Sequence, residues 1–379
     1  MNKGFFIRVF LLFALFVCTT QSRAAANGDE QAAVARAVGL YLTGSSFNVQ
    51  ADLHKAFYPS ARLYLDGPDN AVREMSPQEY AKLFPSEKQS QFNGRIGRLI
   101  SIDITGQLAT AKAEILMPKQ GRRYVDVFLL RKVEGEWKIM SKSAVRADGP
   151  QHGRKVLFVL SNVAQYPGTK VNAGNNFPEI AYTYDALVKA GYAVDFTSPD
   201  GGAVPLEMVI TSDPMQRRYV YDSDFMWGLA NTRAAADLKA ADYVAIVYVG
   251  GGSAVVGISE NGAIQKLAKQ IYEEQGGVIA AICHGTEGIS QLKLSDGSFL
   301  GQGKVMTSFP DAFINRESAV FKAYPFSAEG SIKRNGGKFV HGPRDGSHVA
   351  VDGRLVTGMN WESSIGVANA MIRLLGDKN

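Results

Sequence analysis

The chain has 379 residues, 46% of them hydrophobic and 20% charged, the balance of a globular protein with length enough for two domains. Its formal net charge of +5 falls to about +2 once Lys3, Arg8 and Arg23 are set aside with the N-terminal segment, and no block of lysines or arginines occurs elsewhere. A charge so small and dispersed leaves no footprint for nucleic acid, and beyond residue 26 no stretch is apolar over the ~20 residues that a membrane helix needs.

The N-terminal segment, residues 1–26, reads as a secretion leader. Lys3 and Arg8 form a basic start, residues 9–18 an apolar run too short to span a bilayer, and Ala24-Ala25-Ala26 a small-residue cleavage site. The expectation is export, periplasmic or secreted, with no stable membrane insertion after cleavage. Lipid anchoring at Cys18 is the alternative, although Val17 before it is bulkier than such a site prefers. Of the 2 cysteines, only Cys283 then remains, so no intramolecular disulfide is available and the fold must rest on its cores.

Residues 27–148 open on a helix, with Val34, Ala37, Val38 and Tyr41 at helical spacing. A second helix over 49–57 stops before Pro59, and 61–65 alternates as a short strand. Ser76-Pro77-Gln78-Glu79 supplies an N-cap, a first-turn proline and a capping glutamate for a helix to about residue 84. Strands follow over 97–104, 108–117, 124–132 and 137–145, the last two joined by Val133-Glu134-Gly135-Glu136. Helices followed by an antiparallel meander is an α+β order. The hairpin running from Val127 to Ile139 resembles the NTF2-like cone, and within it the lumazine-binding-like group. That resemblance covers about 120 residues and implies an open cone that some relatives use as a site and others as a dimer surface. His54, Tyr64, Asp66, Tyr80 and Asp126 are the residues placed to face a cavity, against the plainer reading of an aromatic core with a charged rim.

Residues 149–154, rich in Gly and Pro, read as a linker. From 155 to 379 strand and helix alternate: strands over 155–160, 193–198, 243–249, 277–282, 304–308, 348–351 and 354–357, and helices over 178–190, 261–275 and 363–375. Continuous apolar strands between helices predict a parallel sheet covered on both faces, with ligands beyond the carboxyl ends of its strands. Cys283-His284-Gly285 and the loop Gly250-Gly251-Gly252 both fall on that edge.

A cysteine at a tight strand-to-helix turn projects from the sheet, and the first amides of the new helix lower its pKa, so Cys283 is a candidate nucleophile. The amide of His284 and one from the glycine loop are natural donors to an oxyanion. Glu179 reads by itself as a first-turn helix glutamate and Asp311 as a turn residue. Ala281-Ile282-Cys283-His284-Gly285, with Tyr248-Val249-Gly250-Gly251-Gly252, Phe177-Pro178-Glu179-Ile180, Ser308-Phe309-Pro310-Asp311-Ala312 and the segment from Asp352 to Asn360, resembles the ThiJ/PfpI superfamily. This is a branch of the class I glutamine amidotransferase-like fold. The resemblance covers about 220 residues and implies a flavodoxin-like α/β sandwich.

The resemblance further implies Cys283 as nucleophile, His284 as its base, Asp311 orienting the imidazole, Glu179 bonded to the thiol, and the amides of Gly251 and His284 as the oxyanion hole. It points to a glyoxalase III-like enzyme turning a 2-oxoaldehyde into a 2-hydroxy acid without cofactor or metal, and to a homo-oligomer. A cysteine peptidase or amidase with the same residues, or a stress-response holding chaperone sensing oxidation at Cys283, are the alternatives. Gly252, Ser253, Val249, Thr286 and Trp361 depart from the family pattern around the pocket mouth. An insert over 203–233, carrying Arg217, Arg218, Tyr219, Tyr221, Phe225 and Trp227, is expected to form a lid, an interface or simple packing. His341 and His348 are not spaced as a metal pair.

Overall fold

A computed structural model describes residues 28–67, 71–147 and 153–376. The leader expected over 1–26 and most of the linker lie outside the described residues. The chain divides into two compact units, one ending at Asp148 and the other beginning at Gly149.

The N-terminal unit begins with helix α1 (28–46) and α2 (Gln50–Ala56), followed by β1 (Phe57–Asp66), β2 (Val72–Met75), α3 (Pro77–Ala81), β3 (Ile96–Thr105), β4 (Leu108–Met117), β5 (Arg122–Val133) and β6 (Glu136–Arg146). The Ser76 hydroxyl accepts the Glu79 amide while the Glu79 carboxylate accepts the Ser76 amide, the capping box expected from the sequence. The sheet order is β2-β1-β6-β5-β4-β3. The last four strands form the expected meander, but β1 is longer than expected, includes Pro59 and pairs parallel with β6. Val34, Val38 and Tyr41 of α1 are fully buried together with Phe57, Leu63, Ile115, Phe128 and Leu130 of the sheet. Each such side chain contributes about 1.5–3 kcal/mol on leaving water.

The C-terminal unit contains β7 (Lys155–Val159), β8 (Asn175–Asn176), α4 (Phe177–Lys189), β9 (Ala193–Ser198), β10 (Leu206–Glu207), α5 (Pro214–Val220), α6 (Ser223–Ala230), β11 (Arg233–Ala234), β12 (Tyr243–Tyr248), α7 (Gly262–Glu273), β13 (Val278–Ile282), α8 (Glu287–Ser290), β14 (Val305–Met306), α9 (Ala319–Lys322), α10 (Ala328–Arg334), β15 (Lys338–Phe339), β16 (Val349–Asp352), β17 (Leu355–Gly358) and α11 (Ser364–Gly376). Seven strands form the main sheet in the order β11-β9-β7-β12-β13-β17-β16. Alternate residues of one strand enter opposite cores: Val156, Phe158, Val247 and Ile282 one, Leu157, Val159, Ile246 and Ala281 the other. That is why these strands are apolar at every position.

The sheet is mixed where an all-parallel one was expected. β16 runs antiparallel to β17 because only Gly353-Arg354 joins them, and a link so short makes a hairpin, never a parallel crossover. The expected strand over 304–308 shrinks to β14, which pairs with β15 outside the main sheet. Among the described residues no helix is long and apolar enough to cross a membrane.

Candidate active site

β12 and β13 are neighbours at the centre of the sheet, and their carboxyl ends carry the glycine loop and Cys283. Cys283 follows β13 directly and opens the tight turn Cys283–Thr286 at φ +53°. A side chain in this left-handed region is uncommon and costs strain, as at the nucleophile elbows of hydrolases. The turn closes because position 285 is glycine: a Cβ there would lie 2.3 Å from the Tyr248 carbonyl oxygen.

Glu179 reaches the thiol through α4. Asn176 caps that helix, its Oδ1 accepting the Glu179 amide at 3.3 Å, and Pro178 occupies the first turn. The Glu179 side chain is fully buried, and its Oε2 accepts the Gly250 amide at 2.7 Å. Among the described residues its Oε1 has no N–H or O–H donor, and the Cys283 thiol lies against this carboxyl. Burial drives Glu179 well above the usual carboxylate range, against smaller opposing effects from the Gly250 amide and the thiol. Burial therefore favours its protonated form.

Burial also pushes the Cys283 thiol up, Glu179 adds to this, and the His284 amide opposes it. The sequence reading expected a lowered thiol. The difference has a physical cause: the turn and α8 are each four residues long, too short for a strong helix dipole, and desolvation of a thiolate outweighs one amide. A protonated Glu179 removes the charge repulsion and can donate its proton toward sulfur when the thiolate forms.

The imidazole of His284 sits between two groups. Its Nδ1 lies 3.3 Å from Oε1 of Glu287, and its Nε2 3.4 Å from the Tyr324 hydroxyl. With the carboxylate at Nδ1 holding the proton there, Nε2 is the nitrogen left to accept one. The orienting role assigned to Asp311 needs correction here. Its Oδ2 accepts the Ser327 hydroxyl at 2.9 Å and lies 3.9 Å from Arg316, while its amide donates to Glu329; it does not touch His284. Residue 311 opens a turn of its own, whereas Glu287 stands three residues after His284, one helical turn away. That spacing, His284 and Glu287 flanking Gly285-Thr286, was the available signal.

Gly251 adopts φ +101°, and a Cβ there would lie 2.4 Å from the Gly174 carbonyl oxygen. Its amide has no acceptor among the described residues, and the His284 amide points at the thiol. The neighbouring amide of Gly252 is already taken by Oε1 of Glu207 at 2.8 Å, and Oε2 of Glu207 accepts the Gly174 amide at 3.2 Å. Glu207 lies in the insert and braces the loop. The rest of the insert packs into the domain, with Tyr219 and Phe225 buried against Phe196 and Tyr184. Tyr166, whose hydroxyl would meet a side chain at Gly252, stacks on Tyr324 at 6.1 Å and is pushed up to about 12, chiefly by burial. The sequence reading had missed Glu287, Glu207, Tyr166 and Tyr324.

A cysteine with an adjacent histidine at a strained strand end, beside a buried carboxyl and a glycine amide with no acceptor among the described residues, makes Cys283 the candidate nucleophile on a flavodoxin-like sheet. Residues 173–374 match the model of the DJ-1/PfpI family, more than half of the chain, and the protein belongs to that family. Residues 29–143 match a model described as "Putative lumazine-binding", in keeping with the NTF2-like order of the N-terminal unit. The chain is similar to the glutathione-independent glyoxalase hsp3102 of Schizosaccharomyces pombe, 27% identical over 59% of this chain and 98% of the relative. It is also similar to the glutathione-independent glyoxalase HSP31 of Saccharomyces cerevisiae, 30% identical over 56% of this chain and 93% of the relative. A solved glyoxalase III of Candida albicans is 25% identical, with a TM-score of 0.53 over 59% of this chain and 98% of that one.

Proposed function

We propose that the C-terminal unit converts a 2-oxoaldehyde and water to the 2-hydroxy acid, without glutathione. The observation that carries this is the buried pair of Cys283 and Glu179, with His284 next to the thiol in the chain. The Cys283 sulfur adds to the aldehyde carbon, its proton passes to His284, and the new alkoxide takes the amides of Gly251 and His284 before protonation to a hemithioacetal. Nε2 of His284 then removes the C1 proton, the electron pair moves to give an enediol, and Glu179 or the imidazolium returns a proton to C2. The resulting thioester is hydrolysed, releasing the 2-hydroxy acid and the thiol. Glu287 holds the imidazole through Nδ1 while the proton moves at Nε2.

Cys283 is only 7% exposed, a closed setting that favours a small aldehyde over a peptide chain and sets the peptidase reading behind this one. Similarity to glutathione-independent glyoxalases supports the same reading. The test is methylglyoxal consumption with lactate formation in glutathione-free buffer; a Cys283→Ala protein as active as the parent overturns it. The proposal extends to export through residues 1–26, which N-terminal sequencing of the mature protein checks, and to a homo-oligomer, which its mass in solution checks.

A further inference from the structure

The N-terminal unit holds a cavity of about 730 Å³, within the size range of small-molecule sites. Of the residues expected to face such a cavity, Asp66, Tyr80 and Asp126 do line it; His54 and Tyr64 do not. Its walls combine aromatic and apolar side chains, including Tyr80, Phe84, Tyr124 and Met117, with an imbalance of charge. Five cations, Lys88, Arg95, Arg122, Lys142 and Arg146, face only two carboxylates.

Two of these cations share partners and keep donors to spare. Lys142 is 2% exposed and pairs with Oδ2 of Asp126 at 3.2 Å, but that oxygen also accepts the Tyr41 hydroxyl at 2.6 Å. Among the described residues the ammonium otherwise lies over the faces of Tyr41 and Tyr80, at 5.4 and 5.5 Å, although it carries three donors. Arg95 lies over the Phe84 ring at 5.6 Å and reaches the Tyr41 hydroxyl, but its Nε is buried with no acceptor among the described residues. A buried donor left unmet costs about 1–3 kcal/mol, and such atoms in native proteins call for an explanation. Aromatic walls of low dielectric focus the field of the surplus positive charge into the cavity.

The geometry points to this cavity as a binding site for a small organic anion with a flat apolar body. The acidic group meets Arg95 and Lys142, and the body lies between Phe84, Tyr80 and Tyr124. The shared requirement is the anion; carboxylate and phosphate are separated by experiment.

The full chain is titrated calorimetrically with 2-naphthoate, 2-naphthyl phosphate and the neutral 2-naphthamide. At least one anion is expected to bind with a Kd below about 1 mM and at least about tenfold more tightly than the amide. Weakening as salt rises is expected too. Arg95→Met should weaken the anion about tenfold or more. Because a buried arginine can matter to folding, the exposed pair Arg122→Ala with Arg146→Ala is tested beside it, with unchanged circular dichroism, and should weaken the anion and flatten its salt dependence. Anion and amide binding equally, neither anion binding below about 5 mM, or full affinity in both folded variants overturns the proposal.

Discussion

Glu114 in the N-terminal unit and Glu179 in the C-terminal unit are both fully buried glutamates, and they meet opposite fates. Burial raises Glu114 as well, but Arg98 at 2.7 Å and Arg123 at 2.8 Å outweigh it and hold the carboxylate below its ordinary range. Glu179 has an amide and a thiol for company, so burial wins and its pKa rises. Burial alone therefore says nothing about protonation; the partners decide it. One glutamate is an ionic fastener between β3, β4 and β5, and the other a buried acid against the candidate nucleophile.

The sharpest test of that division is Cys283→Ala, which should lower methylglyoxal turnover at least about 10³-fold while leaving the melting temperature within a few degrees. Glu114→Gln should do the reverse: it leaves two partly buried arginines without their carboxylate and costs about 3–5 kcal/mol in urea unfolding, with little change in turnover per folded molecule. Glu179→Gln, an amide in place of a neutral acid, should lower turnover about 10²-fold or more yet leave stability at pH 5 almost unchanged. Glu287→Gln should lower kcat about 10–100-fold and shift the acid limb of the pH–rate profile, while Asp311→Asn changes kcat by less than about threefold. If Asp311→Asn proves the more damaging, the histidine turns to Asp311 during the reaction.

The pH dependence of stability separates the two glutamates most finely. Glu114 has its pKa lowered by folding, so its contribution is present above about pH 4.5 and is lost as pH falls. Glu179 has its pKa raised, so its contribution is present below about pH 4.5 and erodes as pH rises toward the folded value. Glu179→Gln should thus gain melting temperature relative to the parent as pH goes from 5 to 8, and Glu114→Gln should lose its disadvantage below pH 4. Parallel curves for the two variants would break the comparison.

Much of this was legible in the chain. The doubled apolar strands, the glycine loop, the Cys283-His284-Gly285 turn and the Ser76 capping box are all local, because backbone sterics and side-chain periodicity act over a few residues. The unexpected features involve residues brought together from afar. Pairing of β1 with β6 in parallel, the brace from Glu207 to the glycine loop and the five cations around one cavity depend on elements that only folding brings together. The carboxylate serving His284 shows the boundary most clearly: both candidates were acidic residues in plain sight, and the three-residue spacing of Glu287 was local. Sequence by itself determined the candidate nucleophile, the histidine beside it and the sheet edge that carries them. Tertiary structure decided the upward shift of Glu179, the rise of the thiol and the contact of His284 with Glu287 rather than Asp311, because desolvation and hydrogen-bond reach are properties of packed neighbours, not of chain order.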